Sequence, residues 1–428
     1  MTPEHASPDR QPGRPDLLPV AGGTAPAQVA HLLDALRTAL ADGAAPVLVP
    51  HAPSRPGGQV AGELRARLRL PVPAGTAVVL QTSGSTTGRG HLVALTADAL
   101  TASARATYER LAGPGRWLLA VPAHHVAGLQ VLVRSLVAGT APVVLDTSAG
   151  FDPGALAGAT ATMGDDAPGY LSLVPTQLVR VLDAGETAVA PLRRLAAILV
   201  GGAASGRRTL QRARDAGLRV VTTYGMTETG GGCVYDGVPL PGVRLRLGED
   251  DRVELGGPML AAGYLDDAAA DAAAFRTEVD GRWLRTSDRG RLEDHGGAQR
   301  LAVLGRVDDV LNTGGVKVSP AAVEHALVEL DGVGEVVVVG VPDGEWGQLV
   351  TAVVTPVPGR PVPELGALRA VVRERLGGAH APRAVVVLDR LPERGPGKVD
   401  RIGAARLAAE ALAVPGRAGV ERHGVAPA

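Results

Sequence analysis

The chain has 428 residues, of which 45% are apolar and 20% charged, and its 43 basic side chains balance 44 acidic ones to a net charge of −1. This length exceeds a single compact core and predicts two to four packed units of a globular protein, while the near-zero charge argues against a nucleic-acid surface or polybasic membrane patch and points to small-molecule partners. One cysteine, Cys233, rules out an internal disulfide and a cysteine-held metal cluster, and with neither an apolar leader nor a run of about 18 apolar residues the expected compartment is the cytoplasm.

Residues 1–25 are rich in Pro, Gly and charge, lack periodicity and are expected to be a flexible leader. Val29, Leu32, Leu33, Leu36 and Leu40 then recur at the three-and-four spacing of a helical face, and PVLVP follows as a buried strand. Apolar runs at AVVL, WLLAV, PVVL, YLSLV, AAILV and RVVTT alternate downstream with helical stretches such as QLVRVLDAG and GRRTLQRARDAG. This alternation predicts an α/β protein: a large domain over 26–306 with mostly parallel sheets flanked by helices, and ligands gathered at the carboxyl ends of the strands. From about residue 236 to 306 the runs are shorter and punctuated by Gly, the pattern of antiparallel hairpins in a β subdomain. Residues 307–412 form a small α+β C-terminal domain, and 413–428 a loose tail.

The densest local signal follows the AVVL run: Thr82, Ser83, Gly84, Ser85, Thr86, Thr87 and Gly88, continuing as Arg89-Gly90. Small residues let backbone approach an anion and supply N–H and O–H donors to phosphate oxygens, although the same stretch alone reads equally as a solvated turn. It lacks the Gly-Lys-Ser/Thr ending of a Walker A loop. A second signal runs from Thr222 to Thr229 where a buried strand ends: Tyr224 can stack on a base, Thr227 can meet a phosphate and Glu228 can hold Mg²⁺. Taken singly, Tyr224 reads as a packed aromatic and Glu228 as a solvated charge. Further on stand Asp288 in LRTSDRG, Arg306 and Asp308 in LGRVDD, Gly314 and Gly315 in TGGVKVSP, and Lys398 in RGPGKVDR. A carboxylate suits ribose hydroxyls and a guanidinium suits a hydroxyl or phosphate, while Lys398 by itself reads as a surface lysine in a turn.

In order along the chain, TSGSTTGRG, VPAHHVAGL, LVGGAASG, TTYGMTETGGG, RTSD, LGRVDDVLNTGGVKVSP and GPGKVD resemble the motif series of the adenylate-forming acyl-CoA ligases, over residues 82–400. The resemblance implies a mobile small domain, a reaction using ATP, Mg²⁺ and CoA, and a carboxylic acid as substrate. Thr82, Ser83, Gly84, Ser85, Thr86, Thr87 and Gly88 then correspond to the phosphate loop, Gly202 and Ala203 to the segment flanking the adenine, and Tyr224, with Gly225 and Met226 after it, to the residue stacking on the base. Thr227 corresponds to the contact with the α-phosphate, Glu228 to the magnesium ligand, Asp288 to the ribose acid with Arg306 as its basic companion, and Asp308 to the hinge. Lys398 matches the adenylation lysine, and Gly314 and Gly315 the pantetheine tunnel of CoA.

Three segments, GPGRWLLAVPAHHVAGLQVLVRSLVAGTAPV, YLSLVPTQLVRVL and TTYGMTETGGGCVYDGVPLPGVRLRL, are similar to the o-succinylbenzoate–CoA ligase branch of the family, which serves menaquinone biosynthesis. There His125 matches the histidine beside the acyl carboxylate, with His124 adjacent as a rival, and Gly230, Gly231 and Gly232 would leave room for an aromatic acyl group. The phosphate loop departs from the pattern: the usual lysine is missing, and Arg89 or His91 is the residue available to replace its charge. Another aryl- or fatty-acid–CoA ligase, a carrier-loading enzyme, and a non-catalytic nucleotide-binding relative are the alternatives, and homo-oligomerisation stays open.

Overall fold

A computed structural model describes residues 16–41, 46–82, 90–357, 359–393, 399–414 and 416–423. Its first unit runs through β1 (Leu17–Ala21), α1 (Pro26–Ala41), β2 (Val47–His51), α2 (Gly57–Arg67), β3 (Thr76–Gln81) and β4 (Leu92–Thr96). Strand β1 lies in the segment expected to be a leader, and this corrects that boundary: Leu17 and Val20 are buried and β1 pairs in parallel with β2 from Leu17↔Val47 to Ala21↔His51. Five residues interrupted by a proline carry too little periodicity to announce a strand, whose burial comes only from its partner. Helix α1 buries Val29, Leu32 and Leu36 on the anticipated face.

The second unit comprises α3 (Ala97–Arg110), β5 (Arg116–Leu119), α4 (Val126–Ala138), β6 (Val143–Val144), α5 (Pro153–Ala161), β7 (Gly169–Leu173), α6 (Pro175–Asp183), α7 (Glu186–Val189), β8 (Ala197–Val200), α8 (Arg207–Asp215), β9 (Val220–Met226), β10 (Gly231–Tyr235) and β11 (Val238–Pro239). Its ends obey local chemistry: Thr96 caps α3 by accepting the Ala99 N–H at 3.1 Å, and Gly139 ends α4 at φ 67°. These strands form a seven-stranded sheet, ordered β11-β10-β9-β8-β7-β5-β6, in which β9, β8, β7, β5 and β6 are parallel. Trp117, Tyr170 and Tyr235 are fully buried, and Leu, Val and Ala fill the space that few aromatics leave.

Next come β12 (Arg244–Leu247), β13 (Arg252–Gly256), β14 (Gly263–Tyr264), α9 (Ala268–Ala274), β15 (Phe275–Glu278), β16 (Gly281–His295) and β17 (Ala298–Arg306). Strands β12, β13, β15, β16 and β17 make the antiparallel β subdomain, whereas β14 returns to the first sheet and pairs antiparallel with β4. That first sheet is ordered β1-β2-β3-β4-β14, and the segment expected as the phosphate loop lies in sequence between its antiparallel strands β3 and β4.

The small domain holds β18 (Leu311–Thr313), β19 (Val316–Val318), α10 (Pro320–Leu327), β20 (Val333–Asp343), β21 (Gly347–Pro356), α11 (Leu365–Leu376), β22 (Ala384–Val387), α12 (Arg401–Leu412) and β23 (Val420–Arg422). Strand β23 pairs with β22 from Ala384↔Arg422 to Val386↔Val420, so this part of the expected loose tail is a sheet edge. The small domain meets α8 of the large one through Arg208–Asp331 at 2.8 Å and Arg207–Glu329 at 3.9 Å. Among the described residues no helix is long and apolar enough to cross a membrane.

Candidate nucleotide and acyl site

Strands β8 and β9 end side by side, and their tips carry the nucleotide residues anticipated from sequence. Gly201 must lack a side chain, because a Cβ there would lie 2.2 Å from Thr223 Oγ1; Gly202, at φ 86°, and Ala203 follow as exposed backbone. After Met226 the chain makes a single turn over Thr227–Thr229 and leaves it through Gly230 at φ 59°. Thr229 fastens that turn: its Oγ1 accepts the Met226 N–H at 2.9 Å and donates to the Gly231 carbonyl at 2.6 Å.

Tyr224 and Asp288, 64 positions apart, meet directly: the phenol donates to Asp288 Oδ2 at 2.8 Å. The contact joins β9 to β16 and so brings the expected base-stacking ring to the expected ribose acid. Burial, then the Asp288 charge, pushes the Tyr224 hydroxyl well above its ordinary range, so it acts as a donor. Burial also raises the Asp288 carboxyl, against the opposing pull of Tyr224 and Arg306. Arg306 stands opposite Asp288 in the β16–β17 register, but its guanidinium turns to Asp308, the residue expected at the hinge, with contacts of 2.8 and 2.7 Å.

Glu228 is buried at 9% exposure, and among the described residues its carboxylate accepts a hydrogen bond from the Tyr264 hydroxyl to Oε1 at 2.8 Å. No cationic side chain pairs with it among the described residues. A buried carboxylate held by one neutral donor is costly until a cation joins it. Among the described residues no cluster of three His, Cys, Asp or Glu offers a metal cage. Mg²⁺ fits this arrangement, since it is characteristically held by one or two carboxylates together with substrate phosphates.

The described base of the phosphate loop is a pinch between Thr82 and His91: Thr82 N donates to the His91 carbonyl and His91 N to Thr82 Oγ1, both at 2.9 Å. Gly90 is obligatory there, as a Cβ would fall 1.6 Å from the Thr82 carbonyl oxygen. Ser83, Gly84, Ser85, Thr86, Thr87, Gly88 and Arg89 lie outside the described residues, as does Lys398. Of the two candidates for the missing loop charge, His91 stands at this base, stacked on Tyr264 at 4.4 Å with Nδ1 3.6 Å from Asp266 Oδ1.

The neighbouring histidines separate cleanly. His124 is tied to the carbonyl of Gly22, and burial lowers its pKa so that it stays neutral. His125, at the N-cap of α4, is exposed, which suits it to a substrate and leaves His124 as scaffold.

Behind His125, α4 presents Val126, Gln130 and Arg134 on one face, four residues apart. Gly231 packs closely against this face: a Cβ there would lie 3.2 Å from Gln130 Cγ and 3.8 Å from Val126 Cγ2. Gln130 is 1% exposed and its Oε1 has no partner. Arg134 is 3% exposed, sits 4.7 Å over the Trp117 ring and donates to Tyr235 Oη at 3.3 Å. Its Nε has no partner and no carboxylate pairs with it among the described residues. Sequence reasoning missed both; the signal was a lone Gln and Arg, one turn apart, in an otherwise apolar helix.

Gly314 and Gly315 form the tip of the β18–β19 hairpin at φ 57° and 80°. The ring of Trp346 lies against Gly314, where a Cβ would come within 2.9 Å of it, and Arg383 covers that ring at 3.3 Å.

The description of the AMP-binding enzyme matches residues 21–264, and that of the AMP-binding enzyme C-terminal domain residues 322–398. The chain is 48% identical, over 77% of its length and 84% of the relative's, to the probable 2-succinylbenzoate–CoA ligase of Mycobacterium tuberculosis. Its fold is similar to that of a variant of E. coli MenE with bound OSB-AMS, with TM-score 0.71, 25% identity and coverage of 92% of this chain and 88% of that one. It is also similar to the o-succinylbenzoate coenzyme A synthetase of Bacillus subtilis in complex with ATP and magnesium ion, with TM-score 0.63, 28% identity and coverage of 76% and 69%.

Proposed function

We propose, from the premise that this chain belongs to the family of AMP-binding, adenylate-forming enzymes, that it is an AMP-forming o-succinylbenzoate–CoA ligase of menaquinone biosynthesis. The observation that carries the choice of acid is the 48% identity to the probable 2-succinylbenzoate–CoA ligase of Mycobacterium tuberculosis, over 77% of this chain and 84% of that one; Arg134, a buried guanidinium with no carboxylate partner among the described residues, is the candidate for the second carboxylate. A dicarboxylic aromatic acid supplies that anion at one end while offering the other end for activation.

In the first half-reaction a carboxylate oxygen bonds to the α-phosphorus of ATP and the bond to the β-phosphate breaks, pyrophosphate leaving with the electron pair. Anions must come together, so positive charge in a water-poor site decides the rate. Glu228 would hold Mg²⁺, which would supply part of that charge. The Lys398 ammonium supplies the rest and then leaves, as the small domain turns and brings Gly314 and Gly315 to the site. In the second half-reaction the CoA thiolate attacks the acyl carbon and AMP departs. Tyr224 and Asp288 hold the adenosine throughout, and His125 orients the acyl carboxylate. ATP and CoA as substrates place the work in the cytoplasm.

Purified protein incubated with ATP, Mg²⁺, CoA and a panel of acids tests this reading. Pyrophosphate release and a CoA thioester are expected with o-succinylbenzoate; preference for benzoate or a fatty acid overturns the substrate, and a folded protein without acid-dependent pyrophosphate release overturns the enzyme.

A further inference from the structure

Tyr264 has no part in the chemistry described so far, yet it is the side-chain partner of Glu228 among the described residues. It arrives there by topology. After the β subdomain has begun, the chain returns to the first sheet for the two residues of β14, with Gly263↔Ala94 and Tyr264↔Val93 in register. That places the phenol at the seam between the first sheet, whose β3 and β4 flank the segment expected as the phosphate loop, and the turn after β9, which carries Glu228.

The ring is held from several sides. His91 stacks on it at 4.4 Å and 24°, and Phe275 meets it edge-on at 5.4 Å. Its own N–H donates to Asp271 Oδ1 at 2.8 Å, and Gly263 before it, at φ 151°, has no room for a Cβ beside that same oxygen. The short segment 261–264 therefore grips Glu228 at both ends: Ala261 N–H donates to the Glu228 carbonyl at 2.8 Å, and the Tyr264 hydroxyl to Oε1 at 2.8 Å. His91, which closes the base of the phosphate loop against Thr82, rests on the same ring.

We propose that Tyr264 is a positioning residue for the metal-binding carboxylate: its hydroxyl fixes one oxygen of Glu228 and aims the other at Mg²⁺ and the ATP phosphates. A phenol suits the task because it is neutral, so it orients the carboxylate without competing with the metal for its charge, as partners behind metal ligands do elsewhere. The stack with His91 makes the loop base and the metal carboxylate two faces of one clamp, so triphosphate and metal are registered together. The inference rests on the reading of Glu228 as the magnesium ligand.

The test measures metal binding directly. Mn²⁺ is titrated into the full-length protein with the non-hydrolysable α,β-methylene-ATP, and free Mn²⁺ is followed by electron paramagnetic resonance. Tyr264→Phe, which keeps the ring, is expected to weaken Mn²⁺ by about tenfold or more, the usual effect of losing an outer partner of a metal ligand. Affinity for OSB-AMS, the compound bound by the E. coli MenE variant, offered here without metal, should stay within about twofold, because an outer partner acts through the metal. Phe275→Leu, which loosens the ring's packing and spares the hydroxyl, should leave Mn²⁺ affinity unchanged; a merely structural role would make it resemble Tyr264→Phe, and that result overturns the proposal. Unchanged Mn²⁺ affinity in Tyr264→Phe, with affinity lost in Glu228→Gln, also overturns it while leaving Glu228 as ligand. Unchanged affinity in Glu228→Gln removes the metal assignment itself, and this proposal with it.

Discussion

At the scale of single residues, the proposed site holds buried charges that lack ionic partners among the described residues. Arg134 illustrates the consequence for stability. An unpaired buried guanidinium costs free energy in the empty protein, and an apolar side chain of similar length should relieve that cost. Arg134→Met is therefore expected to leave the melting temperature of the empty protein unchanged or higher. The same substitution should raise the KM for o-succinylbenzoate by roughly 10- to 150-fold, the factor that corresponds to the loss of a charged hydrogen bond worth about 1.5–3 kcal/mol. Steady-state kinetics beside thermal unfolding checks both. A large fall in melting temperature with an unaltered KM would make Arg134 a packing residue.

Asp288 gives a pH-dependent counterpart. Burial raises its folded-state pKa, with Tyr224 and Arg306 pulling it down and Asp308 pushing it up. A carboxyl raised in the folded state favours folding below the ordinary carboxylate range, and that contribution is lost as the pH rises through the raised value. At neutral pH its ionised form is thus a net cost. Asp288→Asn, which still accepts the Tyr224 hydroxyl, should melt higher than the parent near pH 7.5, and the gap should close toward pH 4; ATP affinity should fall at both.

At the scale of elements, the β9–β10 hairpin is held by a close backbone approach. Gly225 and Gly231 face each other so closely that a Cβ on Gly225 would stand 2.1 Å from the Gly231 carbonyl oxygen. Gly225→Ala is expected to cost about 1–3 kcal/mol as an overpacked contact, which denaturant unfolding will register. The adjacent Cys233 reports the same event. It is buried on β10, and burial pushes its thiol up to about 12, so it should resist thiol reagents in the parent protein. In Gly225→Ala its labelling rate should rise, because opening of β10 exposes it.

At the scale of the molecule, the two domains meet through contacts that part easily. Arg208–Asp331 and Arg207–Glu329 are solvent-exposed pairs, and such pairs hold little. A domain so attached can take two orientations over one site. Lys398→Ala should then abolish adenylate formation, by about a hundredfold or more for a lost charge at the transferring phosphoryl group. Thioester formation from supplied acyl-adenylate should persist nearly unchanged. Pyrophosphate release and single-turnover thioester formation separate the two, and equal loss of both would argue against rotation.

Much of this was legible in sequence. The alternation of apolar runs set the α/β class, and the ordered motifs pointed to Tyr224 and Asp288, which the fold brings into contact, because side-chain chemistry and local backbone demands, such as the glycines at strand ends, are written residue by residue. What sequence could not reveal depended on distant chain segments coming together. Strand β1 is a strand only beside β2, and the edge strand β23 only beside β22. Gln130 and Arg134 became site candidates only when the fold left them without partners, and Tyr264 only when β14 returned to the first sheet beneath Glu228. Periodicity and motif are local properties of the chain, whereas burial, unpaired charge and a hydrogen bond across 36 residues are properties of the packed molecule.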